Sequence, residues 1–243
     1  MIKIASTRDL GQLPRLNILI HGPSGAGKTY LAKTTGDLEH TLVLAAEPGL
    51  LTLRDVDIPV AEVNDLEQLG RAWAWLRSGE HSFRWVIVDS ISEIAEKCLN
   101  EELDKPGRGG KKRHGLEAYG DMGQRMDRNI RRLRDLPLNI VMLAKQGLIS
   151  DDQGRLARPL LPGNKLTQAV PYLFDEVLAL RPFPGEPDEA GRPTVQRWLQ
   201  TFNDGSFDAK DRSGVLDPFE PPNLAHLAEK ILGTTKPMEA QAA

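Results

Sequence analysis

Residues Gly22-Pro23-Ser24-Gly25-Ala26-Gly27-Lys28-Thr29 end a glycine-rich stretch in a lysine and a hydroxyl. That spacing suits phosphate chemistry. Glycines let successive backbone N–H groups converge on phosphate oxygens, and a helix starting at the loop's end adds a favourable dipole. Lys28 then reaches the phosphates as a point charge, the Thr29 hydroxyl ligates Mg²⁺, and Tyr30 borders the nucleotide. The apolar run Leu16–Ile20 before the loop and the helix-compatible Tyr30-Leu31-Ala32-Lys33 after it supply the required strand–loop–helix context. The expected ligands are ATP and Mg²⁺. GTP is disfavoured, because Asn164-Lys165-Leu166-Thr167 lacks the aspartate needed to read guanine.

Carboxylates for the same chemistry sit at the ends of apolar runs. Trp85-Val86-Ile87-Val88-Asp89 is such a run, and Asp89 at its end is placed to hold Mg²⁺, with helix capping as the competing role. Glu47 follows Thr41–Ala45 and can activate the attacking water, with Glu93 as the competitor. Asn139–Leu143 runs into Ala144-Lys145-Gln146, where the Gln146 amide can bond the γ-phosphate and relay its loss to the following segment.

These groups need a scaffold that brings strand ends together. Apolar, β-branched runs alternating with helical periodicity predict an α/β fold: a central, mostly parallel sheet flanked by helices. Strands are expected at Leu16–Ile20, Thr41–Ala45, Trp85–Val88, Asn139–Leu143 and Glu176–Leu180. A helix from about Asp65 to Arg77 has Leu66, Leu69, Trp73 and Leu76 on one stripe. A second, from about Leu116 to Leu136, buries Met122, Met126, Ile130 and Leu133 and turns Arg125, Arg128, Arg131, Arg132 and Arg134 outward, to pair with acids or line an interface. Thr194–Phe202 and the segment around Phe207 read as antiparallel C-terminal edge strands, and Leu224–Leu232 as a closing helix. The expected organisation is one domain over residues 1–232 and a flexible tail over 233–243. Asp104–Gly115 and Gly147–Lys165 read as long loops.

Composition excludes several classes. With 27 % charged residues and a net charge of −3, the chain is not a globally basic nucleic-acid binder. Cys98 is the only cysteine, so no internal disulfide forms and a reducing cytoplasm is expected. No apolar run reaches the length of a membrane span.

The order of these features resembles the RecA-type recombinase ATPases, and most of all the core-only, phage-encoded Sak-type single-strand annealing proteins. The resemblance rests on GPSGAGKT, a glutamate closing the next strand, Val-Ile-Val-Asp-Ser, a strand ending in Gln146, and Ala209-Lys210-Asp211-Arg212. It implies a RecA-like core in a bacterial host cell, with Lys210 and Arg212 reaching a neighbouring subunit's ATP in a ring or filament. It also implies single-stranded DNA as partner, a single-strand-binding protein as helper, and annealing or strand exchange as the outcome of hydrolysis. Recombinases present DNA with the loops after two core strands, where this chain carries its two long segments. Lys105, Arg108, Lys111, Lys112 and Arg113 fill the first, and Arg155, Arg158 and Lys165 the second. Tyr119 can stack on a base. The alternatives are an AAA+-like helicase loader or another protein-remodelling ATPase, and a small-molecule kinase with the basic loop as its lid.

Overall fold

A computed structural model describes residues 15–47, 49–107, 114–151 and 154–233. Its centre is a mostly parallel sheet. Strand β1 (Asn17–Gly22) lies between β5 (Asn139–Asp151) and β7 (Glu176–Pro184). Beyond β5 follow β4 (Trp85–Asp89), β2 (Thr41–Ala45) and β3 (Val60–Glu62), all parallel. On the other side, β8 (Val195–Gln200) pairs antiparallel with β7, and β10 (Phe219–Glu220) with β8. The expected fold class is therefore observed.

The central strands are apolar along their whole length because both faces are covered. Side chains alternate between two cores. Leu19, Val86, Val88 and Met142 face α1 (Leu66–Ser78), α2 (Ile91–Asp104) and α3 (Gly115–Arg134). Ile18, Ile20, Ile87 and Val141 face a short 3₁₀ helix (Thr29–Thr34) and α5 (Leu224–Leu232). Helix α4 (Asn164–Ala169) precedes β7 in the chain. Local signals set the helix ends. Asp65 caps α1 by accepting from the Gln68 N–H at 2.7 Å, and Gly79 ends it in the left-handed conformation (φ 75°).

Two expectations need correction. Gly147–Lys165 is not a long loop. β5 continues to Asp151 and pairs antiparallel with β6 (Gly154–Leu160), which extends the sheet as a hairpin. The pairing runs from Lys145 opposite Leu160 to Asp151 opposite Gly154, and the mixture of polar and apolar residues along both strands hid it in the sequence. The segment around Phe207 is not an antiparallel edge strand either. Ala157 and Phe207 form one isolated parallel bridge, and the antiparallel pairing nearby is that of β9 (Lys210–Asp211) with the start of β7.

Candidate active site

In a parallel sheet the C-terminal strand edges open onto a common crevice, and here they assemble the expected residues. Registers pair Gly22 of β1 with Lys145 of β5, Leu143 of β5 with Asp89 of β4, and Asp89 with Ala45 of β2. The resulting cavity of ≈ 530 Å³ is lined by Gly22, Ser24, Gly25, Gly27, Lys28, Thr29, Tyr30, Glu47, Asp89, Lys145 and Gln146, among others. Residues at and beyond the ends of β1, β2, β4 and the parallel part of β5 thus meet in one place.

The loop is built for close backbone approach. Gly25 (φ 73°) and Gly27 (φ 100°) adopt conformations that suit glycine. A Cβ at Gly22 would stand 2.8 Å from the Leu180 carbonyl oxygen, so the loop's start fits against β7 only without a side chain. Lys28 Nζ donates to the carbonyls of Gly22 (2.9 Å) and Pro23 (3.0 Å), which folds its ammonium back over the loop. Burial pushes its pKa down, against the pull of Asp89 and Glu47.

Thr29 Oγ1 donates to Asp89 Oδ2 at 2.5 Å. One hydroxyl and one carboxylate in contact suit Mg²⁺, which takes few protein ligands and completes its shell with phosphate oxygens and water. Among the described residues no group of three or more His, Cys, Asp or Glu side chains could hold a metal by itself. Burial raises the Asp89 pKa, opposed by the Thr29 hydrogen bond. The helix-capping role falls to Ser90, whose Oγ accepts from the Glu93 N–H at 3.3 Å. Asp89 stays directed at the cavity.

The same Ser90 hydroxyl donates to Glu47 Oε1 at 2.8 Å and holds that carboxylate on the cavity wall. Glu93 is engaged elsewhere: Lys145 Nζ binds it at 2.8 Å and Glu96 at 3.2 Å. Of these two carboxylates, Glu47 lines the cavity and Glu93 does not.

A family model described as an AAA domain matches residues 15–213, most of the chain. The chain belongs to that family. No curated protein matches it. This AAA domain is thus a P-loop ATPase-type domain.

Other expected residues lie outside the cavity of this AAA domain. Lys210 and Arg212 do not line it. Arg212 pairs with Asp175 at 3.2 Å, both half exposed, and Lys210 Nζ lies 6.0 Å from the Tyr172 ring centroid. Their strand is held by Glu176, which is fully buried opposite Asp211 and accepts from the Ser213 N–H at 3.2 Å. Burial, followed by the adjacent Asp211 carboxylate, pushes Glu176 up to about 8. It therefore stays protonated beside an ionised Asp211.

Of the cations assigned to DNA, Arg108, Lys111, Lys112 and Arg113 lie outside the described residues. Lys105 bonds the buried Glu102 carboxylate at 2.5 Å. Arg158 forms a two-pronged ion pair with Asp208 (2.6 and 3.1 Å), so it works inside the fold instead of facing outward. Arg155 and Lys165 are exposed. Tyr119 is exposed beside Gly163. The arginine face of α3 pairs in part with acids, through Arg125 with Glu101 and Glu102, and Arg131 with Asp127. Among the described residues no helix is long and apolar enough to cross a membrane.

Sequence reasoning missed three groups. Ser90 orients Glu47. Lys145 borders the cavity beside Gln146. Arg197 of β8 donates from Nε to the Ala26 carbonyl at 2.9 Å and props the phosphate loop from behind. Only the first two left a local signal, as polar residues closing apolar strands.

Proposed function

We propose that this AAA domain hydrolyses ATP and couples hydrolysis to the binding and release of single-stranded DNA during strand annealing or exchange. The loop amides and Lys28 bind the triphosphate and neutralise charge that develops during transfer to water. Glu47, held by Ser90, accepts the proton of the attacking water. Thr29 and Asp89 would hold Mg²⁺, which would supply charge neutralisation at the phosphates. ATP favours a self-assembled state with sites at subunit boundaries, where Lys210 and Arg212 of one copy serve the next. Their outward position, clear of their own chain's cavity, supports that reading.

The observation that carries the DNA coupling is the continuity of β5. One strand runs from Lys145 and Gln146 in the cavity to Asp151 at the hairpin end, without a break in its pairing with β6. A rigid element spanning nucleotide and hairpin is what a nucleotide-dependent DNA contact needs. The hairpin exposes Leu148 (67 %) and Arg155, an apolar and a cationic group suited to bases and phosphates. The charge-rich 105–113 segment adds to the same electrostatic attraction.

The test is ATPase activity with and without single-stranded DNA, joined to DNA binding with and without ATP and to negative-stain imaging. Stimulation by DNA, assembly with ATP, and loss of both ATPase and ATP-dependent DNA binding in Lys28→Ala support the proposal. Unchanged DNA binding in Lys28→Ala removes the coupling. The AAA-domain match favours a second reading, a protein-remodelling ATPase such as a helicase loader. ATPase activity indifferent to DNA and raised by a protein partner would establish it.

A further inference from the structure

His21 stands one residue before the phosphate loop and is completely buried. It sits on β1 opposite Ala144 of β5 and Ala179 of β7, two small neighbours that leave room for a ring. Paired residues of adjacent strands share a face, and residues two apart on a strand share one as well. Gln146, two beyond Ala144, is therefore on the imidazole's side of the sheet, and its amide lies within hydrogen-bonding reach of the ring.

The ring's proton is placed by its other neighbour. His21 Nε2 lies 2.8 Å from the Asp208 backbone carbonyl oxygen. A carbonyl only accepts, so Nε2 carries the hydrogen. Burial holds the imidazole pKa down at about 4, so the ring is neutral and Nδ1 is left as an acceptor. With the Gln146 amide oxygen turned inward, two acceptors face each other. His21 Nδ1 and Gln146 Oε1 are then both buried without a partner. Such orphaned atoms are costly, while the two ends of an amide have the same shape. Half a turn of the amide resolves both: its N–H donates to Nδ1, and its oxygen leaves the interior.

We infer that His21 is a positioning residue that fixes Gln146 with its amide nitrogen on the imidazole and its oxygen toward the nucleotide cavity. The inference about catalysis rests on the ATPase reading above. An amide oxygen cannot donate to a γ-phosphate, so the γ-phosphate bond expected of Gln146 from the sequence is replaced. Gln146 instead accepts a hydrogen bond from the water that Glu47 activates, one acceptor for each of its hydrogens. The ring also ties this amide to Asp208, which bonds Ala157 of β6 through its N–H (2.8 Å) and Arg158 through its carboxylate. Hairpin, Asp208 and catalytic amide thereby share one hydrogen-bonded chain.

Two measurements test this. In nucleotide-free ¹⁵N-labelled protein, imidazole NMR should show a protonated Nε2 and a bare Nδ1 near neutral pH. A through-hydrogen-bond ¹⁵N–¹⁵N coupling should link Gln146 Nε2 to His21 Nδ1. A protonated Nδ1, or absence of that coupling in a spectrum where both nitrogens are assigned, overturns the inference whether or not the protein hydrolyses ATP.

The second is kinetic. His21→Gln keeps a donor for Asp208 and loses the acceptor for Gln146, whereas His21→Asn keeps the acceptor and loses the donor. His21→Gln should lower kcat about tenfold with KM for ATP within about twofold, as loss of one orienting hydrogen bond allows. His21→Asn should retain most of kcat. Equal losses in both variants, or full kcat in His21→Gln, would refute the positioning role. Wild-type protein without ATPase activity would sink the functional reading and leave the NMR result standing.

Discussion

Replacing Glu47 by glutamine separates binding from chemistry at this site. The amide oxygen can still accept from Ser90 Oγ, which holds the carboxylate at 2.8 Å, so the local structure has little reason to change. What disappears is the ability to take a proton from water. A positioned general base contributes roughly 10²–10⁴-fold, or about 3–5 kcal/mol of barrier. Glu93→Gln is the matched control. Its carboxylate is bound to Lys145 at 2.8 Å, and Lys145 keeps Glu96 at 3.2 Å when Glu93 is neutralised. A partly exposed pair of this kind is worth about 0–1 kcal/mol, less than about a fivefold effect on rate. Single-turnover hydrolysis with saturating ATP and Mg²⁺ gives the chemical step, and a fluorescent ATP analogue gives affinity. Glu47→Gln should bind nucleotide as the wild type does and hydrolyse it at least about 100-fold more slowly. The reasoning fails if Glu47→Gln hydrolyses ATP normally while Glu93→Gln is the slow variant.

Three further outcomes follow from the geometry. Gly22→Ala drives a Cβ to 2.8 Å from the Leu180 carbonyl, and overpacking against backbone should cost about 1–3 kcal/mol in denaturant unfolding; an unchanged midpoint would refute the fit. Arg197→Ala removes the bond to the Ala26 carbonyl, and ATP affinity should drop by about threefold to tenfold with thermal stability little altered; unchanged affinity would deny the prop. Glu176 is held protonated, its pKa raised from 4.5 to about 8, so between those values the folded chain retains a proton that the unfolded chain releases. Its contribution to stability is present below pH 4.5 and is lost as pH climbs toward 8. Unfolding free energies measured across that range should fall by more than about 1 kcal/mol less in Glu176→Gln than in the wild type, and parallel curves would contradict the assignment.

The meeting of the phosphate loop, Asp89 and Glu47 at one sheet edge was legible in the chain because the signals for it are local. Each closes an apolar run that can only be a buried strand, and a parallel sheet sends such endings to one edge. The same logic exposed the fold class and the helix stripes of α1 and α3. It failed for the β5–β6 hairpin, whose two-sided setting mixes polar and apolar residues and so reads as a loop. Tertiary structure alone decided the rest. Ser90 orienting Glu47 and Lys145 occupying Glu93 depend on which strand ends are neighbours in space. Arg197 reaches the phosphate loop across 171 residues of chain. His21 bonds Asp208 across 187 residues, and Arg158 finds the same aspartate on its carboxylate side. Sequence determined which residues can do phosphate chemistry, since backbone conformation and residue type act over a few positions. Only the fold decided how each is held, because hydrogen-bond partners and burial are properties of the packed chain.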